Sequence, residues 1–124
     1  MEKQHALQQL EQLQKKLYAI HYACSAMNLD ADTVAPKNTS EGRGVALGVL
    51  AGEEQQLMIC PETRALLDEL DRQKDELDLL HRREVEELRR RCDQLTRIPA
   101  EEYIAYSELV NKAGDVWHKA KEKD

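Results

Sequence analysis

Residues 10–27 of the chain read LEQLQKKLYAIHYACSAM, and their pattern indicates a helical fold. Its apolar residues recur every three or four positions, which places them on one face of a helix. They are Leu10, Leu13, Leu17, Ile20, Cys24 and Met27. The spacing predicts an amphipathic first helix over about residues 4–27, which would be roughly 36 Å long at 1.5 Å per residue.

The composition of the 124 residues points the same way. Leucine is the dominant aliphatic residue, with 17 copies against six valines and four isoleucines, and the chain has only five glycines and three prolines. Leucine and the unbranched polar residues lose little rotamer freedom in a helix, so we expect an all-α protein. The formal charge of −6 disfavours a general nucleic-acid-binding surface, which needs a basic face to displace counterions.

Pro36 interrupts the helical period after the first helix. A proline cannot continue a helix and biases the preceding residue towards extended geometry, so we expect residues 29–39 to form a loop. Thr39 or Ser40 can then cap a second helix that extends to about Ile59.

The predicted second helix carries a glycine at every fourth position: Gly44, Gly48 and Gly52. Each glycine lowers helix propensity by up to about 1 kcal/mol. A bare ridge of this kind favours close packing of a neighbouring helix. The alternative is a flexible, hinge-like element.

Pro61 suits the first position, N1, of a third helix. The apolar spacing loosens between Arg72 and Glu76, where Asp75 could end one helix and cap the next. The alternative is a single helix of more than 30 residues that ends near Arg97.

Pro99 suits N1 of the last helix. We expect its buried side to be marked by Tyr103, Tyr106, Val110 and Trp117, with Leu109 and Ala113 beside them. The sequence as a whole predicts a single domain over residues 1–124, a bundle of four to five mostly antiparallel helices with short loops.

The residue types that build active sites do not assemble one in this sequence. There is no H-E-x-x-H zinc motif, no C-x-x-C and no Gly-rich phosphate loop after a strand. His21 and Cys24 could contact one metal ion, but zinc requires three or four ligands, so packing explains these two residues better. We therefore expect no catalytic residue and no metal ligand in the chain.

Location and partners are expected from similar considerations. Three well-separated cysteines make no disulfide framework, which favours a reducing, cytoplasmic location. No apolar run approaches the roughly 20 residues of a membrane span, so no membrane partner is expected. The arginines between Arg82 and Arg97 alternate with glutamates and read as a solvated helix face, not as a nucleic-acid site.

Two motifs in the chain resemble the carboxypeptidase Taq family of metallocarboxypeptidases. The first is the end of the first helix with its loop, residues 26–43, where the matching positions are Asp30, Pro36, Ser40, Glu41 and Arg43. The second lies in the last helix, where the matching positions are Ile98, Pro99, Tyr103, Tyr106 and Trp117. The chain departs from the family pattern at Asn28-Leu29, where the family has His-Trp.

The resemblance implies a long, nearly all-helical enzyme that removes C-terminal residues from peptides. It implies a divalent metal, zinc or cobalt, bound by residues outside this chain. This chain would then be the N-terminal helical wall or lid of the substrate groove, inactive alone, with the peptide and the catalytic remainder as partners. Because members of that family are commonly dimers, the resemblance also implies a possible homodimer. The alternative is a stand-alone helical interaction or dimerisation module, suggested by the apolar stripe from Leu66 to Leu95.

Overall fold

A computed structural model describes residues 2–123 of the chain. The helices are α1 (Lys3–Asp32), α2 (Ser40–Ile59), α3 (Pro61–Arg72), α4 (Leu79–Thr96) and α5 (Ala100–Glu122), with a short 3-10 turn at Lys74–Glu76. No strand occurs among the described residues, and the predicted all-α bundle is confirmed. None of the described helices combines the length and the hydropathy that a transmembrane span requires.

Helix α1 extends to Asp32, so the predicted loop over residues 29–39 was wrong for its first four positions. Pro36 restricts only itself and the residue before it, and nothing between them and Asp32 forbids a helix. The helix ends where the N–H groups of Val34 and Ala35 both donate to the carbonyl of Asp30, at 3.1 and 2.8 Å.

The break between α3 and α4 is confirmed, but the cap of α4 is Asp78 and not Asp75. The Asp78 carboxylate accepts a hydrogen bond from the His81 N–H at 2.8 Å. Leu77 is extended and buried, so the chain makes one further turn to bury it before the next helix begins. The cap therefore follows Leu77.

The two helix-starting prolines take different positions. Pro61 occupies N1 of α3, as predicted. Pro99 is the N-cap of α5, one position before the predicted N1, because its ψ of 141° is extended. Its carbonyl still accepts the first helical bond, from the Tyr103 N–H at 3.0 Å.

Contacts divide the described residues into two compact units. The leucine-core unit comprises residues 2–18 and 54–98, and α3 and α4 run antiparallel within it. Its buried apolar side chains are Ala6, Leu10, Leu13, Leu17, Met58, Leu66, Leu67, Leu70, Leu77, Val85, Cys92 and Leu95. Much of the stripe that suggested an interaction module is therefore the core of this unit.

The glycine-ridge unit comprises residues 19–53 and 99–123, and α2 and α5 run antiparallel within it. A Cβ atom added at Gly44 would lie 3.0 Å from Asn111 Nδ2, and one added at Gly48 would lie 2.9 Å from Glu108 Oε1. One added at Gly52 would lie 3.0 Å from Ile104 Cδ1. The ridge therefore serves close helix packing, as the spacing favoured.

Helix α5 faces the opposite way from the prediction. None of the described residues of α5 is buried, Tyr103 is half-buried, and Tyr106, Leu109, Val110 and Trp117 are 52–67% exposed. The expected buried side was therefore wrong. The glycine ridge instead receives a face with Ile104, Glu108 and Asn111, because Asn111 can satisfy polar groups at the start of α2 there.

Candidate functional site

The start of α2 is joined to α5 by the side-chain amide of Asn111. Asn111 Nδ2 donates to the Ser40 carbonyl at 2.8 Å and to the Ser40 hydroxyl oxygen at 3.4 Å. Asn111 Oδ1 accepts a hydrogen bond from Arg43 Nε at 3.0 Å. One amide thus contacts two of the family-motif residues, Ser40 and Arg43.

Arg43 also ties the α1–α2 loop to the same point. Its Nη1 donates to Thr39 Oγ1 at 3.4 Å, and the Thr39 hydroxyl donates to the Pro36 carbonyl at 2.8 Å. Asn38 next to them has a φ of 69°, a left-handed conformation that asparagine tolerates better than most residues. The loop, α2 and α5 are therefore held by one continuous set of hydrogen bonds, which we call the Asn111 latch.

The end of α1 contacts the last part of α5. His118 Nε2 lies 2.9 Å from Asp32 Oδ1. The Trp117 and His118 rings meet edge to face, with their centroids 5.0 Å apart. Lys121 Nζ lies 4.9 Å from the Trp117 ring centroid, which is a cation–π distance.

Two open cavities flank the latch. The smaller, of about 250 Å³, lies between the loop and α5, and its lining includes Pro36, Thr39, Arg43, Asp115 and His118. The larger, of about 630 Å³, lies between α2 and α5, and its lining includes Glu41, Val45, Glu108, Lys112 and Asp115. Lys119, which lines both, pairs with Asp115 at 3.1 Å, so opposite charges meet within these walls.

A third cavity, a groove of about 800 Å³, lies in the leucine-core unit between α1 and the α2–α3 junction. Its floor includes Leu13, Leu57 and Leu66, and α1 lines its rim with the amides of Gln8, Gln9 and Gln12. Primary amides can both donate and accept hydrogen bonds.

The remaining motif residues are dispersed along the chain. The backbone carbonyl of Asp30 accepts the hydrogen bonds that end α1, and Glu41 lies in the first turn of α2. Ile98 and Pro99 form the α4–α5 junction, where Gln55 Nε2 donates to the carbonyls of Ile98 and Leu95 at 2.7 and 3.1 Å.

Sequence reasoning missed the residues that make this arrangement, above all Asn111, Gln55 and His118. A usable signal was present in α5, where the inward residues follow a 4-3-4-3 spacing: Ile104, Glu108, Asn111, Asp115 and His118. This stripe is mostly polar, and a search for apolar faces passes over it. Gln55 carried no comparable signal.

The hydrogen bonds of the Asn111 latch fix the positions of the helices and the loop that they join. Within residues 2–123 no group of three His, Cys, Asp or Glu side chains is arranged to hold a metal ion. Asn, Ser, Thr and Arg supply hydrogen bonds that fix two helices and a loop. Ser40 and Arg43, two of the matching positions, thus take part in the hydrogen bonds that join α2 to α5.

Comparison with known proteins places the chain among peptidases. The family model described as carboxypeptidase Taq (M32) metallopeptidase matches residues 9–124. Carboxypeptidase 1 of Bacillus subtilis (strain 168) is 32% identical over 105 residues, which cover 83% of this chain and 21% of that protein. A crystal structure described as BsuCP matches 96% of this chain and 24% of its own, with a TM-score of 0.91 and 28% identity.

The chain therefore spans between a fifth and a quarter of the length of these relatives. The family match extends over nearly all of the chain, and the fold of the solved relative agrees with it throughout. On this basis the chain belongs to the carboxypeptidase Taq family of metallopeptidases.

Proposed function

We propose that this chain is the N-terminal helical part of a metal-dependent carboxypeptidase that removes C-terminal residues from peptides. The observation that carries the proposal is the family match over residues 9–124. The parent enzyme would take peptide substrates, and the catalytic remainder of its chain would be the immediate partner of this segment.

The metal would be bound elsewhere in that parent. A divalent ion, zinc or cobalt, would polarise the scissile carbonyl and activate a water molecule. The described residues do not fit such an ion, because they offer no group of three suitable ligands. We therefore assign no catalytic step to this chain and expect it to be inactive alone.

The part we assign to the chain is one wall or lid of the substrate groove. The groove between α1 and the α2–α3 junction supports this role, since both leucine side chains and glutamine amides line it. Gln9 and Gln12 on α1 could accept and donate hydrogen bonds to an extended peptide. A wall of this kind affects substrate binding more than the chemical step.

A chimera tests the proposal. The segment of Carboxypeptidase 1 that matches this chain is replaced by residues 1–124, and release of C-terminal amino acids is measured with cobalt or zinc. We expect the chimera to release them and the isolated chain to release none under the same conditions. An isolated chain with chelator-sensitive activity, or a folded, metal-loaded chimera without activity, would contradict the proposal.

The wall role has its own test in the chimera. The double variant Gln9→Ala with Gln12→Ala is expected to raise KM several-fold and leave kcat within about twofold, because the lost contacts would bind ground state and transition state alike. Gln94→Ala removes an exposed amide from α4, outside the groove, and serves as the control. Equal KM values for the two variants would contradict a substrate wall at this groove.

The location and assembly of the protein are also proposals. The three cysteines, all within the described residues, form no disulfide, and this supports a cytoplasmic location.

The alternative function, a stand-alone interaction or homodimerisation module, is supported by the exposed apolar face of α5. Sedimentation of the chain over a range of concentrations tests it, since an interaction module of this kind would form a dimer.

A further inference from the structure

The surface of α5 that points away from α2 carries a continuous apolar stripe. We call it the outer stripe; it consists of Tyr106, Leu109, Val110, Ala113, Val116 and Trp117. The five large side chains are between 52 and 67% exposed. Their spacing of three and four residues places them on one helix face that extends along most of α5.

The distribution of polar and apolar side chains around α5 is the reverse of that on an ordinary surface helix. Its inward face carries Glu108, Asn111 and Asp115, which line or contact α2, and its outer face is apolar. At 100° per residue the centres of these two faces lie roughly 180° apart. A surface helix of a soluble protein normally places its apolar stripe against its own core. The outer stripe therefore has the composition of a surface that packs against another apolar surface.

We propose that the outer stripe is the docking surface for an apolar helix face from the catalytic part of the parent fold. This inference rests on the proposed function. The solved relative superposes on 96% of this chain, and that match accounts for only 24% of the relative. About three quarters of the relative's chain thus lies outside the matched region, and it is the nearest source of apolar surface.

A second copy of this chain fits the stripe less well. The stripe spans residues 106–117, a length of about 18 Å at 1.5 Å per residue, and a helix is roughly 10 Å wide, so the stripe offers about 180 Å². Stable association of separate proteins normally buries about 800 Å² on each partner. The catalytic part of the parent can contact this chain outside the stripe as well, so the stripe has to supply only part of that area.

The charges at the two ends of α5 define the partner helix further. The first turn carries Glu101 and Glu102, and the last turn carries Lys119 and Lys121. Lys121 also lies over the Trp117 ring. A complementary partner would present basic residues beside the Tyr106 end of the stripe and acidic residues beside the Trp117 end.

Trp117 is the only tryptophan of the chain and reports directly on the stripe. The chain is labelled with 5-fluorotryptophan and titrated with the polypeptide that forms the remaining four-fifths of Carboxypeptidase 1. That relative's own matching segment is titrated first, which establishes that the polypeptide is folded and able to bind. We expect the ¹⁹F resonance of Trp117 to shift and to lose its dependence on the H₂O/D₂O ratio.

Two variants at exposed positions separate the stripe from the rest of α5. Val110→Glu places a charge in the stripe and is expected to weaken binding at least about tenfold. Lys112→Glu reverses a charge on the same helix beside the stripe and is expected to change binding by no more than about threefold. Circular dichroism confirms that both variants remain helical. A Trp117 resonance that stays solvent-exposed, or equal binding of Val110→Glu and the unmodified chain, would overturn the proposal.

The remaining outcomes are also decisive. A concentration-dependent burial of Trp117 in the chain alone would assign the stripe to a second copy and overturn the proposal. Burial of Trp117 in a complex that lacks peptidase activity would support the docking surface and count against the proposed function. Peptidase activity of a complex in which Trp117 stays exposed would support the proposed function and count against the docking surface.

Discussion

The two units of this chain reach similar helical content by different means. The leucine-core unit buries twelve apolar side chains, whereas the glycine-ridge unit buries only two, Leu47 and Ala51. The second unit relies on the packing of α5 side chains against Gly48 and on the Asn111 latch. Apolar burial stabilises at about 25 cal/mol per Å² and single hydrogen bonds contribute about 1 kcal/mol net. A chain can therefore form all of its helices without burying a complete apolar core around each of them.

The largest expected effect breaks the leucine core. Leu70 is fully buried, so Leu70→Ala should lower the free energy of unfolding by about 2–5 kcal/mol through lost contacts and a residual cavity. Val110→Ala in the other unit removes an exposed side chain and should cost no more than about 0.5 kcal/mol. Urea unfolding followed by circular dichroism measures both. Comparable losses would contradict the contrast between the units.

The next effect tests the glycine ridge. Gly48→Leu should destabilise the chain by about 1–3 kcal/mol, because its Cβ would already lie 3.1 Å from Glu108 Cγ and 3.3 Å from Ile104 Cγ2, and the rest of the leucine side chain would have to displace both. Gly42→Leu is the matched control on the same helix, since a Cβ there meets nothing within 4 Å. The control should be stabilised by up to about 1 kcal/mol through helix propensity. If the ridge served as a hinge, both variants would be more stable than the unmodified chain.

A smaller effect concerns the α4–α5 junction. Gln55→Met keeps the volume of a fully buried side chain but removes both hydrogen bonds to the Leu95 and Ile98 carbonyls. We expect a loss of about 1–2 kcal/mol in unfolding free energy. Gln94→Met, at an exposed position on α4, should change it by no more than about 0.5 kcal/mol. Equal values would mean that Gln55 does not stabilise the junction.

The smallest effect is a pH dependence on the surface of the leucine-core unit. Hydrogen bonds from Arg72 and Gln73 lower the pKa of Glu69 from 4.5 to about 2. Because the folded-state pKa is lowered, the stabilisation is complete above about pH 4.5 and is lost as the pH falls towards 2. An NMR titration should find the low pKa in the unmodified chain and a value nearer 4.5 in Arg72→Ala. The pKa of Glu87, which pairs with Arg90, should not move between the two proteins.

Much of the fold follows from local rules that the sequence displays. Pro61 fixes the start of α3, and the four-residue spacing of the glycines indicates a packing ridge, because both effects depend on single residues and their neighbours. The end of α1 at Asp32 was not predicted, because a proline sets only the furthest position that a helix can reach. It does not fix the residue at which the helix ends. Asp78 replaced Asp75 as a cap because burial of Leu77 decided the register.

The candidate site was less predictable for a different reason. Ser40 and Arg43 were identified through a family resemblance, but their partner Asn111 lies about 70 residues away, and no local pattern connects them. The orientation of α5 was misjudged because apolar residues were assumed to face the bundle. That assumption fails for a helix whose partner surface is glycine and whose outer stripe has another role.

Native-state hydrogen exchange of the isolated chain tests the contrast between the units most directly. We predict that the backbone amides of Leu67, Leu70 and Val85 exchange only through global unfolding. Amides of α5 from Ile104 to His118 should exchange at least about tenfold faster, because few buried apolar contacts hold that helix. Equal protection in the two sets would contradict the claim that the glycine-ridge unit lacks a complete core.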